Sequence, residues 1–488
     1  MVNRIKELLF RNRDERQTIT KNIFWLSFSQ VGSRLIRAVI IIYAARILGA
    51  AEYGVFSYAL GLAGFFTIFS DLGITSILTR EVSQKPEKKS QYFSTALAIK
   101  SVLLLGTAVL VVLIAPYFSR IEEATALIPF IALLVIFDGL REFCLGFFRG
   151  KEKMELEALV TILTNVAITT IGFVALYFAA NSRGLTISYV GSVGVGALTG
   201  VIILRKEFGR IIKFFDKKLI KPLFNSAWPL TLYAIIGAFM LNTDIIMLGW
   251  WRSPEEIGYY SAGQRIIQVL YTLPAILASA IFPAISRSVG QKNNQRISLL
   301  MEKGTVAVFM IAIPLVVGGT ILAKSVFNLI YGQAYLPGAT AFSLLLITTI
   351  LIFPGMLIGN LILACDKQRK ISWYLSLAAV ANIAFNAVLI PKYGIAGSAF
   401  ATIVAQLINT GLSWRLGKKL NNFHTLRHLK KIIASAIIMG VFSFALNKLG
   451  INVVVNIVLS VGIYAGSLLI LKEKVLTDAR ELLKTMKG

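Results

Sequence analysis

NIFWLSFSQVGSRLIRAVIIIYAARILGAAEYGVFSYALGLAGFFTIFSDLGITSILTR, residues 22–80, holds two long apolar runs, Asn22–Arg46 and Gly54–Arg80, joined by a short polar turn around Glu52. Each run exceeds the roughly 20 residues that a helix needs to cross a hydrocarbon core of about 30 Å. Comparable runs follow near Tyr92–Phe118, Thr125–Gly150, Glu157–Ala180 and Thr186–Leu204, then near Leu223–Trp250, Gly258–Pro283, Leu299–Ala323 and Ala339–Cys365. Ile371–Ile390, Ile395–Leu416, Leu429–Leu446 and Ile451–Leu471 complete the series. The pattern predicts an all-α polytopic membrane protein of about fourteen transmembrane helices. Composition agrees: 56% of the 488 residues are hydrophobic, 15% are charged and mean hydropathy is +0.73, values a soluble surface would not tolerate. No cleavable leader is expected, because residues 1–20 are highly charged and the first run ends without a small-residue cleavage site.

A net charge of +26 raises the possibility of a nucleic-acid partner, but the basic residues alternate with the loops instead of forming one patch. Arg4, Lys6, Arg11, Arg13, Arg16 and Lys21 crowd the start, Lys85, Lys88 and Lys89 one turn, and Arg205–Lys221 another. Further groups lie around Arg287, Lys367, Lys418 and Lys430 and in the tail after Lys472, whereas Arg46, Arg120, Arg183, Arg252, Lys324, Lys392 and Lys448 stand almost alone in the intervening turns. The positive-inside rule then places both termini in the cytoplasm; the expected location is the cytoplasmic (inner) membrane. Cys144 and Cys365 fall toward cytoplasmic helix ends and should be free thiols. His424 and His428 share a helical face in a basic loop, a pair better suited to solvent or headgroups than to a metal.

The chain divides into a basic N-terminus (1–20), an N-terminal lobe (21–204), an amphipathic linker helix (205–222) and a C-terminal lobe (223–416). A helix pair with its preceding basic loop (417–471) and a cytoplasmic tail (472–488) follow. In the linker, Phe208, Ile211, Ile212, Phe215 and Leu219 lie roughly on one face, as in an interfacial helix. LGAAEYGVFSYA (48–59) resembles RSPEEIGYYSAG (252–263), with Glu52, Gly54 and Ser57 matching Glu256, Gly258 and Ser261. Such a repeat relates two lobes by an axis along the membrane normal, with a pathway between them.

Charges inside the spans are the main candidates for function, since each costs about 2.5–3.5 kcal/mol at the bilayer centre on insertion scales. Arg34 and Arg37 share a face of the first helix with Gln30 and Ser33, about ten residues or roughly 15 Å from the nearest end, too far for easy snorkelling. They read either as a phosphate or pyrophosphate site, which guanidinium forks suit, or as structural partners of Asp71 or Asp138. Asp138, Arg141 and Glu142 are spaced to neutralise one another. Lys100 and Arg265 can either reach the interface or face a cavity. Asp244, Asn382, Asn386 and Thr402 present hard oxygens, fit either for a small cation or for interhelical hydrogen bonds. Pro229, Pro274, Pro314 and Pro354 read as kinks.

The opening residues 22–81 resemble the start of the polysaccharide transporter family, the oligosaccharide flippases. YGQAYLPG (331–338) and YGIAGSAFATIVAQ (393–406) resemble later segments shared more loosely across the multidrug, oligosaccharidyl-lipid and polysaccharide exporter superfamily. The resemblance implies two pseudo-symmetric six-helix lobes around a central cavity, alternating access and a polyprenyl-pyrophosphate-linked glycan as cargo. It implies that Arg34, Arg37 and Arg265, with Gln30 beside them, meet the pyrophosphate, since basic residues of these helices line the cavity in related lipid II flippases. It also implies a sodium site at Asp244, Asn382, Asn386 and Thr402, although Asn386 stands where relatives can carry a second carboxylate, so Na+ or H+ could be the coupling ion. No cofactor is expected, and the chain should act as a monomer beside glycosyltransferases and a polysaccharide polymerase. A lipid II flippase and a multidrug antiporter are the nearest rivals. A membrane transferase would need a cluster of reactive His, Asp or Glu at one face, which the sequence does not offer.

Overall fold

A computed structural model describes residues 15–425 and 429–471; the basic start before Glu15, His428 and the tail from Lys472 lie outside the described residues. Every regular element among the described residues is helical. α1 (Glu15–Phe66) contains the first span and the start of the second, turned at Gly49, whose φ of 73° suits a residue without a Cβ. A single helix is expected over Gly54–Arg80, but the structure breaks it. A 3-10 turn at Thr67–Ser70 is followed by Leu72 (φ 43°) and Gly73 (φ 74°), and α2 (Ile74–Gln84) starts afresh. The Thr231 hydroxyl donates to the Leu72 carbonyl at 2.6 Å, satisfying a backbone acceptor at the break.

α3 (Lys89–Phe118), α4 (Ile128–Gly150), α5 (Met154–Phe178), α6 (Ser182–Ile203) and α7 (Ile220–Trp251) follow. α8 (Pro254–Leu270) and α9 (Thr272–Gly290) divide the expected eighth span at Tyr271. Next come α10 (Asn294–Ile321), α11 (Ala339–Ala364) and α12 (Gln368–Leu420), the last turned at Gly394 (φ 58°) into two spans. α13 (Leu429–Lys448) and α14 (Val453–Ile470) close the chain. Nine helical stretches among the described residues are long and apolar enough to cross a membrane. α4 is long enough too, but carries Asp138, Arg141 and Glu142 in its middle. Val102, Leu105, Val109 and Leu113 form an exposed apolar stripe along α3, as a lipid-facing helix requires. Tyr117 and Tyr177 are 88% and 84% exposed at the ends of α3 and α5, where a membrane interface favours aromatic rings.

The linker departs from expectation. Residues 205–219 form three short turns, Arg205–Phe208, Ile211–Phe214 and Lys217–Leu219, rather than one amphipathic helix. The chain turns extended at Phe215 and Asp216, where the Asp216 carboxylate accepts the Lys218 N–H at 2.9 Å and the Asp216 N–H donates to Thr95 at 3.1 Å. Phe208, Ile211 and Leu219 pack inward, Phe208 with its ring 5.3 Å from Phe93. These three side chains are half-buried against the core, whereas Phe215 is exposed; the Ile212 side chain lies outside the described residues.

Packing divides the chain into two compact units, residues 1–258 and 259–488, later than the linker. In the first unit Ile74, Phe93, Phe143, Phe147 and Val160 form a core, and α7 packs on α1, α2 and α3. The repeat-related glycines also meet there: a Cβ at Gly54 would overlap the Pro254 carbonyl, and one at Gly258 the Ala50 carbonyl. In the second unit one core gathers Ile285, Met301, Phe353, Leu357 and Leu361, and another seats α13 and α14 on α10. His424 is not helical; its N–H donates to Glu302, which ties the loop before α13 to α10.

Candidate functional site

α1 and α5 run together through one helical face. Thr169 donates to the Ile36 carbonyl at 3.3 Å, and Gly172 admits Ile40, which would lie 3.0 Å from a Cβ there. Asn165, Thr169 and Gly172 are spaced to share that face of α5. Asn165 therefore meets Arg37, whose Nε donates to Asn165 Oδ1 at 2.8 Å. The amide is 1% exposed and donates from Nδ2 to the Thr161 carbonyl at 2.7 Å. Both ends are committed, so the oxygen faces the guanidinium.

The carboxylates that could have neutralised Arg37 are used elsewhere. Asp71, at the break before α2, accepts from Lys100 at 2.6 Å and from Thr75. Asp138 and Glu142 hold Arg141 at 2.8 and 2.9 Å. Gly196 on α6 makes space for that arginine, since a Cβ there would lie 3.1 Å from Arg141 Cδ. Arg149 lies 2.6 Å from Glu157 and 3.8 Å from Glu142, extending the alternating charges toward the end of α4. Among the described residues, Arg37 makes no ion pair, and its partner is neutral. Arg34 is exposed one turn earlier on α1, and the Gln30 side chain lies outside the described residues.

Arg265 belongs to the second unit, and its Nη1 donates to Gln268 Oε1 at 3.3 Å, again a neutral amide. Of the cation candidates, Asp244 lies in the first unit and the other three in the second. Asp244, Asn382 and Asn386 are buried; Asn386 Nδ2 donates to Asn382 Oδ1 at 3.0 Å, and Thr402 donates to the Ser398 carbonyl at 3.1 Å. These oxygens suit a hard cation in type, though one Asn382 lone pair is already engaged. Both cysteines are free, Cys144 buried and Cys365 partly so.

Sequence reasoning missed Asn165 and Gln268. The available signal was an uncharged amide in mid-span, which in lipid needs a partner.

These features define a multi-pass helical membrane protein with charged groups held deep in its first unit. The chain belongs to the polysaccharide biosynthesis protein family, whose pattern matches residues 19–289; residues 229–388 match the MatE family. It is thereby a polysaccharide transporter of the multidrug, oligosaccharidyl-lipid and polysaccharide exporter superfamily. It is 21% identical to the "Probable low-salt glycan biosynthesis flippase Agl15" of Haloferax volcanii, over 88% of this chain and 89% of that protein. It is 20% identical to the capsular polysaccharide biosynthesis protein CapF of Staphylococcus aureus, over 80% of this chain and 97% of that one. Its fold is similar to the lipid II flippase MurJ in an inward closed conformation, with a TM-score of 0.78 and 17% identity over 93% of this chain and 100% of that one.

Proposed function

We propose that this protein flips a polyprenyl-pyrophosphate-linked oligosaccharide from the cytoplasmic to the outer leaflet of the inner membrane, by alternating access, for surface polysaccharide assembly. The observation that carries the reading is Arg37. A guanidinium in mid-span, hydrogen-bonded to a neutral amide while neighbouring carboxylates serve other cations, keeps its charge for an anion. Pyrophosphate fits that requirement, and the prenyl chain can remain in lipid. Arg34 would extend the basic surface, with Gln30 beside it, and Arg265 would offer a further guanidinium in the second unit. The family and the name of the archaeal relative support glycan cargo over drug cargo.

The distribution of Lys and Arg among the loops supports cytoplasmic termini. Moving a headgroup requires no bond to be made or broken, so the protein acts as a transporter, with glycosyltransferases upstream and a polymerase downstream. Coupling to Na+ would use Asp244, Asn382, Asn386 and Thr402; coupling to H+ would use the intramembrane carboxylates instead.

The test is purified protein in liposomes carrying a polyprenyl-pyrophosphate-linked glycan, with lipid II in a parallel arm and headgroup accessibility as the readout. Glycan flipping that falls in Arg37→Ala supports the proposal. Export of a cationic dye with neither lipid flipped overturns it, and flipping of lipid II alone reassigns the cargo to cell-wall synthesis.

A further inference from the structure

We infer that Asn165 is the positioning residue of the anion site: its amide holds Arg37 by Nε without neutralising it, and so turns the Nη edge of the guanidinium toward an incoming oxyanion. This rests on the reading of Arg37 as a headgroup residue.

A guanidinium has five N–H groups, and the structure assigns Nε to Asn165 Oδ1 at 2.8 Å. The bond uses the side-on edge and leaves the end-on pair, Nη1 and Nη2, for a bidentate contact to a phosphate. The amide cannot reverse without cost. Flipped, it would set its NH2 against the Arg37 N–H and its oxygen against the Thr161 carbonyl, exchanging two hydrogen bonds for two repulsions. Asn165 is 1% exposed, so solvent cannot compensate either group. The three residues are thus a relay from the α5 backbone through an amide to the arginine.

The identity of the acceptor matters more than its presence. Elsewhere in this unit a buried cation faces a carboxylate, as Lys100 faces Asp71 and Arg141 faces Asp138 and Glu142. At Arg37 a residue of almost the same shape supplies a dipole instead of a charge. An aspartate there would satisfy the same N–H and cancel the field that an anionic headgroup needs. Asn165 would therefore set specificity for anionic cargo through its chemical type, from a position that need not touch the cargo.

The experiment compares Asn165→Asp, Asn165→Leu and Arg37→Ala with the parent, each as the full chain in nanodiscs of zwitterionic lipid. Farnesyl pyrophosphate is the probe, farnesol the uncharged control and inorganic pyrophosphate the competitor, with thermal unfolding measured alongside. Saturable farnesyl pyrophosphate binding competed by pyrophosphate is expected in the parent. Asn165→Asp should weaken it about tenfold or more while the protein stays folded, and Asn165→Leu, which frees but does not neutralise Arg37, should weaken it less. A purely structural role predicts the opposite order, since leucine removes both hydrogen bonds and aspartate only one. If Arg37→Ala loses binding and Asn165→Asp binds like the parent, the inference about Asn165 is wrong and the anion site stands. If Arg37→Ala binds like the parent, the anion site itself is wrong.

Discussion

Lys100 and Asp71 allow the sharpest test of the packing, because the two partners differ in exposure. The Lys100 side chain is 1% exposed and the Asp71 side chain 30%, with Nζ to Oδ1 at 2.6 Å. Asp71→Asn strands a fully buried ammonium, and breaking a buried pair in this way costs about 3–5 kcal/mol. Lys100→Met strands a carboxylate that keeps partial exposure, a bond from Thr75 and a place at the start of α2, where the helix dipole favours an anion. Its cost should be lower, about 1–3 kcal/mol. The double variant leaves no uncompensated charge and should lie within about 1 kcal/mol of the parent. Unfolding free energies in mixed micelles, followed by tryptophan fluorescence, give all three numbers. Lys100→Met costing more than Asp71→Asn, or a double variant showing the sum of the two losses, would refute the reasoning.

Gly54 and Gly258 should not tolerate alanine in this packing, so Gly54→Ala and Gly258→Ala should each cost about 1–3 kcal/mol, or shift the protein toward a form in which residues 50–54 and 254–258 separate. Cysteine cross-linking between Ala51 and Glu255 positions distinguishes the two outcomes. If sodium drives transport, glycan flipping should rise with a sodium gradient and lose that response in Asp244→Asn; flipping indifferent to both removes the cation site. Lys151, after α4, is held below the usual lysine range first by burial and then by Lys153 and Lys89. It binds its proton less tightly folded than unfolded, so its contribution makes stability rise with pH through the alkaline range below the ordinary lysine value. Lys151→Met should flatten that part of the pH–stability curve.

What the sequence revealed tracks how local the cause is. Apolar spans follow from composition over about 20 residues, and the spacing of Asp138 and Arg141 already places them on one face. The break at Leu72–Gly73 depends on Thr231, 159 residues away, which accommodates the freed carbonyl. The linker looked amphipathic because its apolar spacing is real; its inward face is set by Phe93 on α3, which no pattern within 205–221 contains. The partner of Arg37 lies 128 positions distant. The sequence offered Asp71 or Asp138 for that role, and only helix packing shows that Lys100 and Arg141 take them.

That redistribution bears on why Arg37 can persist in the bundle. An arginine beside a carboxylate offsets much of its desolvation internally, whereas one beside an amide leaves more of it outstanding. Insertion scales put a buried charge at about 2.5–3.5 kcal/mol, a substantial share of the roughly 5–15 kcal/mol that holds a folded domain together. An anion bound to the Nη edge would return part of that cost, stabilising the loaded protein relative to the empty one. The strain of keeping the charge is then part of the affinity, and replacing Arg37 by methionine together with Asn165 by leucine, which leaves no buried amide oxygen stranded, should stabilise the empty protein while abolishing headgroup binding. Loss of both stability and binding in that double variant would instead mark the arginine as a structural element of the α1–α5 contact.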